Sequence, residues 1–195
     1  MVIFHNISES EVKDYPDFHL SIELHELSAS LLLVDKSNSK PCAIEHLELV
    51  NNSFIKALET SEIVLKTNPD TISCAVVNSH FTLVPLSIFM EENKNSYLDF
   101  SIKSNEKLTT THTISSGKQV VNCFGIDSEK AEFLVSMFPQ ITFFHCGSIF
   151  MDSVKEGLHV NFNTPHEMEI IYNNSNSLVF YNRFACDNEE ESLYY

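Results

Sequence analysis

The chain has 195 residues, with 12 Lys plus Arg against 27 Asp plus Glu, a formal net charge of -15 at pH 7, and 43% apolar residues. That length can bury a substantial core, as one large or two small domains. The acidic balance repels phosphate backbones and anionic lipid, which argues against nucleic acid as a partner and against insertion in a membrane.

Near the start, Phe18, Leu20, Ile22 and Leu24 alternate with His19, Ser21, Glu23 and His25, the period of a half-buried strand. Residues 26–28 make a short turn and 29–35 an almost wholly apolar strand. The polar run 36–40 makes a second turn before a third strand over 42–49. Asn51, Asn52 and Ser53 offer N-cap side chains to a helix that places Phe54, Ala57, Leu58 and Leu65 on one face.

Residues 71–78, rich in β-branched side chains, and the short run 81–84 predict two more strands. Pro85 suits the first position of a short helix through Leu86, Ile88, Phe89 and Met90. Residues 97–102 and 108–114 predict an antiparallel pair, Thr109, Thr110, Thr111 and Thr113 favouring strand. A strand over 119–126 follows. Asp127 then caps a helix that turns Ala131, Leu134, Val135 and Phe138 inward, and Pro139 ends it. A short buried strand over 141–145 leads to a helix over 148–156, closed by Lys155 and Gly157.

The opening pattern then returns. Leu158, Val160 and Phe162 alternate with His159, Asn161 and Asn163, and Thr164, Pro165 and His166 form the first turn. Met168, Ile170 and Tyr172 mark a second strand, 173–177 an Asn/Ser turn, and 178–184 a third strand. Asp187 and Glu190 have the spacing of a capping box at a helix start. Leu193, Tyr194 and Tyr195 fall in the first turn of that helix, too short to stabilise itself, so the second unit is expected to be incomplete.

A three-stranded meander followed by alternating strands and helices is the ribonuclease H-like layout, and two such domains in tandem make the actin-like ATPase architecture. The expected fold is therefore α/β, with two tandem related domains and the second truncated. Residues 1–157 form the first ribonuclease H-like domain, with a strand-rich insertion around 79–116. Residues 158–195 form the opening meander and helix start of the second.

Several stretches spread through most of the chain carry a resemblance. They are His19-Leu-Ser-Ile-Glu-Leu24, Phe81-Thr-Leu-Val-Pro85, Tyr97-Leu-Asp-Phe100, Val121-Asn-Cys-Phe-Gly125, Phe138-Pro139 followed by His145, Tyr181-Asn-Arg-Phe184 and Leu193-Tyr-Tyr195. In these the chain resembles an uncharacterised bacterial protein family, formally a domain of unknown function, whose members have an actin-like ATPase fold. The resemblance implies the fold and brings no established activity.

Active proteins of that architecture open each domain with an Asp-x-Gly type turn, where glycine lets backbone amides wrap phosphates and the aspartate positions a hydrated magnesium. Here the corresponding turns read Leu24-His-Glu-Leu-Ser28 and Phe162-Asn-Thr-Pro-His166, with no glycine in either. The 4 glycines are Gly117, Gly125, Gly147 and Gly157. Pro165 removes a further amide donor where an anion needs several. If a nucleotide binds, Glu23, Ser28, Asn163 and Thr164 are the residues expected to flank its phosphates, with Glu23, Asp35 and Asn163 around a hydrated metal. Solvent exposure on the polar face of a strand explains Glu23 equally well, and turn formation explains Ser28 and Thr164.

Other constellations are weaker. The 9 histidines include no HExxH pattern, and the 5 cysteines no CxxC, so neither set points to zinc. His145-Cys146 is the one adjacent imidazole and thiol, and neighbours at a strand end rarely aim at each other. Gly147-Ser148 lacks the flanking glycine of a nucleophile elbow, and Ser115-Ser-Gly-Lys118 lacks the preceding glycine of a phosphate loop. Glu189, Glu190 and Glu191 suit a helix N-terminus. An odd number of cysteines, absence of a cationic and apolar leader in the first ten or so residues, and no long apolar run predict a cytoplasmic protein with reduced thiols. The expected function is that of a non-catalytic interaction or scaffold module with an unknown protein partner and no cofactor, Tyr97, Tyr172 and Tyr181 being candidate anchors. The alternative is an atypical ATP-binding or ATP-hydrolysing protein that uses ATP and magnesium.

Overall fold

The computed structural model describes residues 2–4, 17–49, 54–102, 107–164, 167–175 and 177–186, with the side chains of 2–4, 163 and 164 excepted. The chain gathers into two compact units. One comprises Met1–Asn78, Ser104–Thr109 and Gly125–Phe144, the other Ser79–Lys103, Thr110–Phe124 and His145–Tyr195. The first unit thus takes in the helix that follows Asp127, and the second joins most of the strand-rich piece to the second meander.

The first unit is built on a six-stranded sheet. Its strands are β1 (Val2–Phe4), β2 (Phe18–Leu24), β3 (Ser28–Asp35), β4 (Lys40–Glu48), β5 (Thr71–Val76) and, beyond three strands of another sheet, β9 (Thr142–His145), in the order β1-β4-β3-β2-β5-β9. β2, β3 and β4 pair antiparallel in chain order, and β5 then lies parallel to β2, with Leu20 opposite Ile72 and Ile22 opposite Cys74. This is the meander and first parallel strand that the alternation of β2 predicts. Phe18, Leu20, Ile22 and Leu24 are all buried, as are Ala29, Leu31 and Leu33 on β3. Each such aliphatic side chain contributes about 1.5–3 kcal/mol. The pairing of β1 with β4 has no counterpart in the sequence reading.

The helix expected from Phe54 to Leu65 divides into α1 (Phe54–Glu59) and α2 (Glu62–Lys66). Ser61 breaks it: its backbone is extended and its side chain accepts from the Val64 amide. Buried Glu45 on β4 completes the new start, accepting from Ser61 Oγ at 2.7 Å and from the amides of Ile63 at 3.1 Å and Glu62 at 3.2 Å. The carboxylate thereby satisfies donors that a helix start leaves open, and it lies at the favourable end of the dipole. Leu65 is left facing solvent. The N-cap expected from Asn51 to Ser53 lies outside the described residues.

β6 (Phe81–Pro85), β7 (Leu108–Ser115) and β8 (Val120–Asp127) form a three-stranded sheet in the order β6-β8-β7, most of it in the second unit. β7 therefore pairs with β8 and not with residues 97–102, which form a helix, α3 (Lys94–Ser101). Its inward residues are spaced for a helix. Leu98 is buried, the Tyr97 hydroxyl donates to the Ile88 carbonyl at 3.1 Å, and Ser101 Oγ donates to Thr82 Oγ1 at 2.8 Å. Phe100, the next apolar residue of the supposed strand, points into solvent. Pro85 does lead into a single 3-10 turn, Leu86–Ile88.

Asp127 caps α4 (Ser128–Met137) as expected, accepting from the Lys130 amide at 2.9 Å, with Ala131 and Leu134 buried; Val135, expected inward, is exposed. The last helix, α5 (Cys146–Ser153), starts two residues earlier and ends three earlier than expected. His145 caps it by accepting from the Gly147 amide at 3.1 Å. Gly157 does not close this helix. With φ of +118°, a value few other residues adopt, it opens the next strand.

That strand and its successors, β10 (Gly157–Thr164), β11 (Glu167–Asn174) and β12 (Ser177–Ala185), form a three-stranded antiparallel sheet in chain order, the second meander. β11 buries Glu169, Ile171 and Asn173 on one face and Met168 and Ile170 on the other, where Tyr172 is exposed. Its Ile171 and β12's Tyr181 pack with Met151 of α5 and with Phe81, Leu83 and Val120.

Candidate functional site

The β2–β3 turn is where the sequence reading looks for a phosphate-gripping hairpin, and its backbone carbonyls accept hydrogen bonds. The His25 amide donates to the Ser28 carbonyl at 2.9 Å and the Val77 amide to the Leu24 carbonyl at 2.8 Å. The Leu49 amide donates to the Leu27 carbonyl at 2.9 Å. Lys130 Nζ reaches the Glu26 carbonyl at 3.3 Å. An anion cradle needs amides converging on open space. This turn instead converges carbonyls on donors of its own unit.

Glu23 and Ser28 do lie at the same end of the meander, as the sequence requires. Glu23 Oε1 is engaged by His25 Nε2 at 2.6 Å, and that hydrogen bond holds its carboxyl below the ordinary range. Asp35 is not part of this group. It sits at the far end of β3, opposite Phe18, whereas Glu23 is opposite Ser30. Five residues of strand separate the two carboxylates, about 16 Å at 3.3 Å per residue. Asp35 is occupied locally, accepting from the Ser37 amide and hydroxyl and from Asn38 Nδ2, and the Ser37 bonds lower its pKa. Among the described residues no three His, Cys, Asp or Glu side chains cluster for a metal.

Asn163 and Thr164 end β10, where the ladder with β11 shifts register between Phe162 and Thr164. The side chains of both, and Pro165 and His166 entirely, lie outside the described residues, as do Asp187, Glu190 and Leu193 to Tyr195.

His145 and Cys146 point to different partners. The buried imidazole lies between Phe81, centroids 4.8 Å apart, and Phe124 at 5.6 Å, while Cys146 Sγ donates to Glu169 Oε1 at 3.4 Å. Burial, then the Glu169 charge, pushes the thiol strongly up. A protonated thiol facing a carboxylate is a poor nucleophile.

The sequence reading missed the cluster to which Cys146 belongs. Glu169, 1% exposed, accepts from Tyr181 Oη at 2.9 Å and pairs with Arg183 Nε at 3.4 Å; Arg183 Nη2 also reaches Glu167 at 2.8 Å. Glu169 lies directly opposite Arg183 in the β11–β12 register, so the opposite charges on two adjacent strands were the available signal. Burial, then the Glu169 charge, raises the Tyr181 phenol far above its ordinary value. In this network Cys146 and Tyr181, both kept protonated, donate to Glu169, and Arg183 bridges the carboxylates of Glu167 and Glu169.

Buried thiols elsewhere give the same answer. Burial pushes Cys74 from 9.0 up to about 12 and Cys123 up to about 11. Because the unfolded thiols ionise first as pH rises through 9.0, the stability present below that pH declines as pH climbs toward the folded values. Iodoacetamide at near-neutral pH is expected to modify Cys74 at least about 100-fold more slowly than in the urea-unfolded chain. Mass spectrometry of the alkylated peptides measures this, and rapid native labelling of Cys74 contradicts it.

The remaining feature is a surface. Leu158, Tyr172 and Phe180 are cross-strand neighbours on one face of the second meander, with Val160 and Phe162 on the same face of β10. The alternation in β10 correctly marks a strand, yet the apolar set is outside. Leu158 is 66%, Val160 48%, Phe162 58%, Tyr172 40% and Phe180 43% exposed. Of the other candidate anchors, Tyr97 and Tyr181 are consumed in packing and hydrogen bonds within the unit. Among the described residues, no helix is long and apolar enough to cross a membrane.

Comparison with known proteins places this geometry. The family described as "Protein of unknown function (DUF3822)" matches residues 8–195. A Bacteroides thetaiotaomicron protein, described as having an actin-like ATPase fold and unknown function, superposes with a TM-score of 0.84 at 19% identity, over 98% of this chain and 77% of that one. The cytoplasmic domain of EpsL, an inner membrane component of the type II secretion system of Vibrio cholerae, superposes with a TM-score of 0.54 at 14% identity, over 86% of this chain and 70% of that one. No curated protein matches in sequence.

Proposed function

Because the chain belongs to the DUF3822 family and has an actin-like ATPase fold, we propose that it is a non-catalytic interaction or scaffold module of the cytoplasm, working through a protein partner and without a bound cofactor. The observation that carries this reading is the apolar face of the second meander, where Leu158, Val160, Phe162, Tyr172 and Phe180 stand in solvent. A contiguous apolar patch of this kind on a chain of charge -15 marks a contact surface. The β2–β3 turn supports it, since its carbonyls are directed at donors and its glutamate is held by His25. The repeated meander supports the division into two related domains, and the free thiols support a reducing compartment. The EpsL domain, part of a secretion system, supports the view that this fold serves in assemblies. Fold by itself assigns no activity.

The alternative, an atypical ATP-binding protein, makes an opposite prediction. Isothermal titration with magnesium-ATP is expected to give no heat of binding up to millimolar nucleotide. Micromolar binding that is lost in Glu23→Ala or Asn163→Ala would overturn the module reading and establish Glu23, Ser28, Asn163 and Thr164 as the phosphate-flanking set.

A further inference from the structure

Helix α5 lies on the face of the β6-β8-β7 sheet that carries Phe81, Leu83 and Val120, which pack with its Met151. Val84, Val121 and Cys123 belong to the other face, with Phe89 and Tyr97. Central strand β8 is buried from Val121 to Ile126, and Asn122 is the one amide side chain in that stretch. Opposite Leu83 in the β6–β8 ladder, Asn122 points at α5, where its Nδ2 donates to Ser148 Oγ at 3.0 Å.

The outer strand β7 brings further polar groups to the same face. Its His112 packs on Phe89, centroids 4.9 Å apart, and so belongs to the far side of the sheet. Its Ser115 hydroxyl donates to Asp152 of α5, and alternation puts Thr113 on the face of Ser115. The β7–β8 hairpin keeps one register at both ends. The Gln119 amide donates to the Ser116 carbonyl at 3.3 Å, and the Ser128 amide to the Lys107 carbonyl at 3.0 Å. Counting inward from either bond sets Thr113 directly opposite Asn122, and such partners have Cβ atoms about 4.5–5.5 Å apart.

Thr113 Oγ1 and Asn122 Oδ1 are both buried, and neither has a hydrogen-bond partner among the described residues. Asn122 is 1% exposed. Buried polar atoms in folded proteins are nearly always bonded to protein or to ordered water. The needs of these two are complementary, since an amide oxygen can only accept, whereas a threonine hydroxyl has a proton to give.

We infer that one buried water bridges Thr113 and Asn122, accepting from the threonine hydroxyl and donating to the amide oxygen. Two such partners suffice to hold a water. A cation fits the same place less well. It would take lone pairs from both oxygens and leave the Thr113 proton without an acceptor, while Asp152, the carboxylate beside this site, is exposed and engaged by Ser115. The bridge fastens outer strand β7 to β8 beneath α5, the helix that leads into the second meander. The inference is independent of the module reading.

Thr113→Val tests it by the sign of the effect. With the water in place, valine removes one end of the bridge and strands Asn122 Oδ1, and Tm should fall by roughly 2–4 °C. If the hydroxyl is merely buried, valine substitutes a methyl group of the same shape for an unpaired polar atom, and Tm should rise. In an Asn122→Leu background, where the other end is already gone, Thr113→Val should no longer lower Tm. A high-resolution crystal structure of the full parent chain is the second readout. It should show one water about 2.7–3.2 Å from both oxygens. A Thr113→Val chain that melts at or above the parent temperature overturns the inference, as do equal losses in the two backgrounds. Crystal density that bonds to one of the two oxygens alone, that shows the contacts of a bound cation, or that shows no water at this position overturns it as well.

Discussion

Gly147→Ala is expected to destabilise the second unit by about 3 kcal/mol or more, seen as a fall of roughly 6–12 °C in Tm. A methyl group at this position would overlap the Tyr181 hydroxyl and lie 2.5 Å from Cζ and 2.9 Å from Cε1 of the same ring. The ring cannot swing aside cheaply. It packs against Phe81 with centroids 5.1 Å apart, sits in the cluster with Met151 and Ile171, and its hydroxyl is bound to Glu169 at 2.9 Å. Glycine is needed here for close approach, since Gly147 lies within α5, where glycine otherwise weakens a helix by about 1 kcal/mol relative to alanine. Thermal and urea unfolding of Gly147→Ala measures the loss. Combining it with Tyr181→Leu should lose clearly less than the sum of the two single changes, because the second removes the atoms that the first strikes. If Gly147→Ala unfolds at the parent temperature, the packing of β12 on α5 is not as described.

Arg183→Met is the second large effect, with an expected cost of about 3–5 kcal/mol. The side chains of Arg183 and Glu169 are 3% and 1% exposed, and the guanidinium is the cation beside a carboxylate that also receives the Tyr181 hydroxyl and the Cys146 thiol. Without the guanidinium the carboxylate stays in an apolar surround with neutral donors alone. Arg183→Lys should recover only part of the loss. An ammonium lacks the planar fork that lets Arg183 reach Glu167 and Glu169 together. Replacing both partners, Glu169→Met with Arg183→Met, should be milder than Arg183→Met alone, since it removes the stranded charge along with its partner. Urea denaturation of the parent, Glu169→Met, Arg183→Met and the double variant measures the cycle. A double variant that is less stable than Arg183→Met would show that the pair itself stabilises the unit.

These two residues belong to the part of the molecule that was least legible in the sequence. Glu169 stands between Met168 and Ile170, and an alternation rule reads it as a solvent-facing position. β11 is the central strand of its sheet, and helix α5 packs against the face that carries Glu169 and Ile171, whereas Tyr172, on the face of Met168 and Ile170, is exposed. The apolar alternation therefore marks the more exposed face, and the face it reads as polar is the one another element covers. Residues 97–102 failed for another reason. Tyr97, Leu98 and Ser101 have the spacing of a helical face, but β-forming side chains dominate the run, and only the contacts with Ile88 and Thr82 decide between the two. The candidate site was legible in part. The glycine-free turn places Glu23 and Ser28 together, whereas the separation of Glu23 from Asp35 depends on strand register.

What the sequence by itself determined is most of the order of strands and helices, with β1, the break at Ser61 and the helix over 97–101 excepted, together with the doubled meander, the cap at Asp127 and the absence of glycine from the β2–β3 turn. All of these are encoded by neighbours a few residues apart, through hydropathy period, capping chemistry and backbone freedom. Only the tertiary structure decided which faces those strands bury. Phe18, Leu20 and Ile22 are inside, while Leu158, Val160 and Phe162, written in the same alternation, are outside. Alternation states that a strand has an apolar side, and burial depends on whether another part of the fold comes to lie against it.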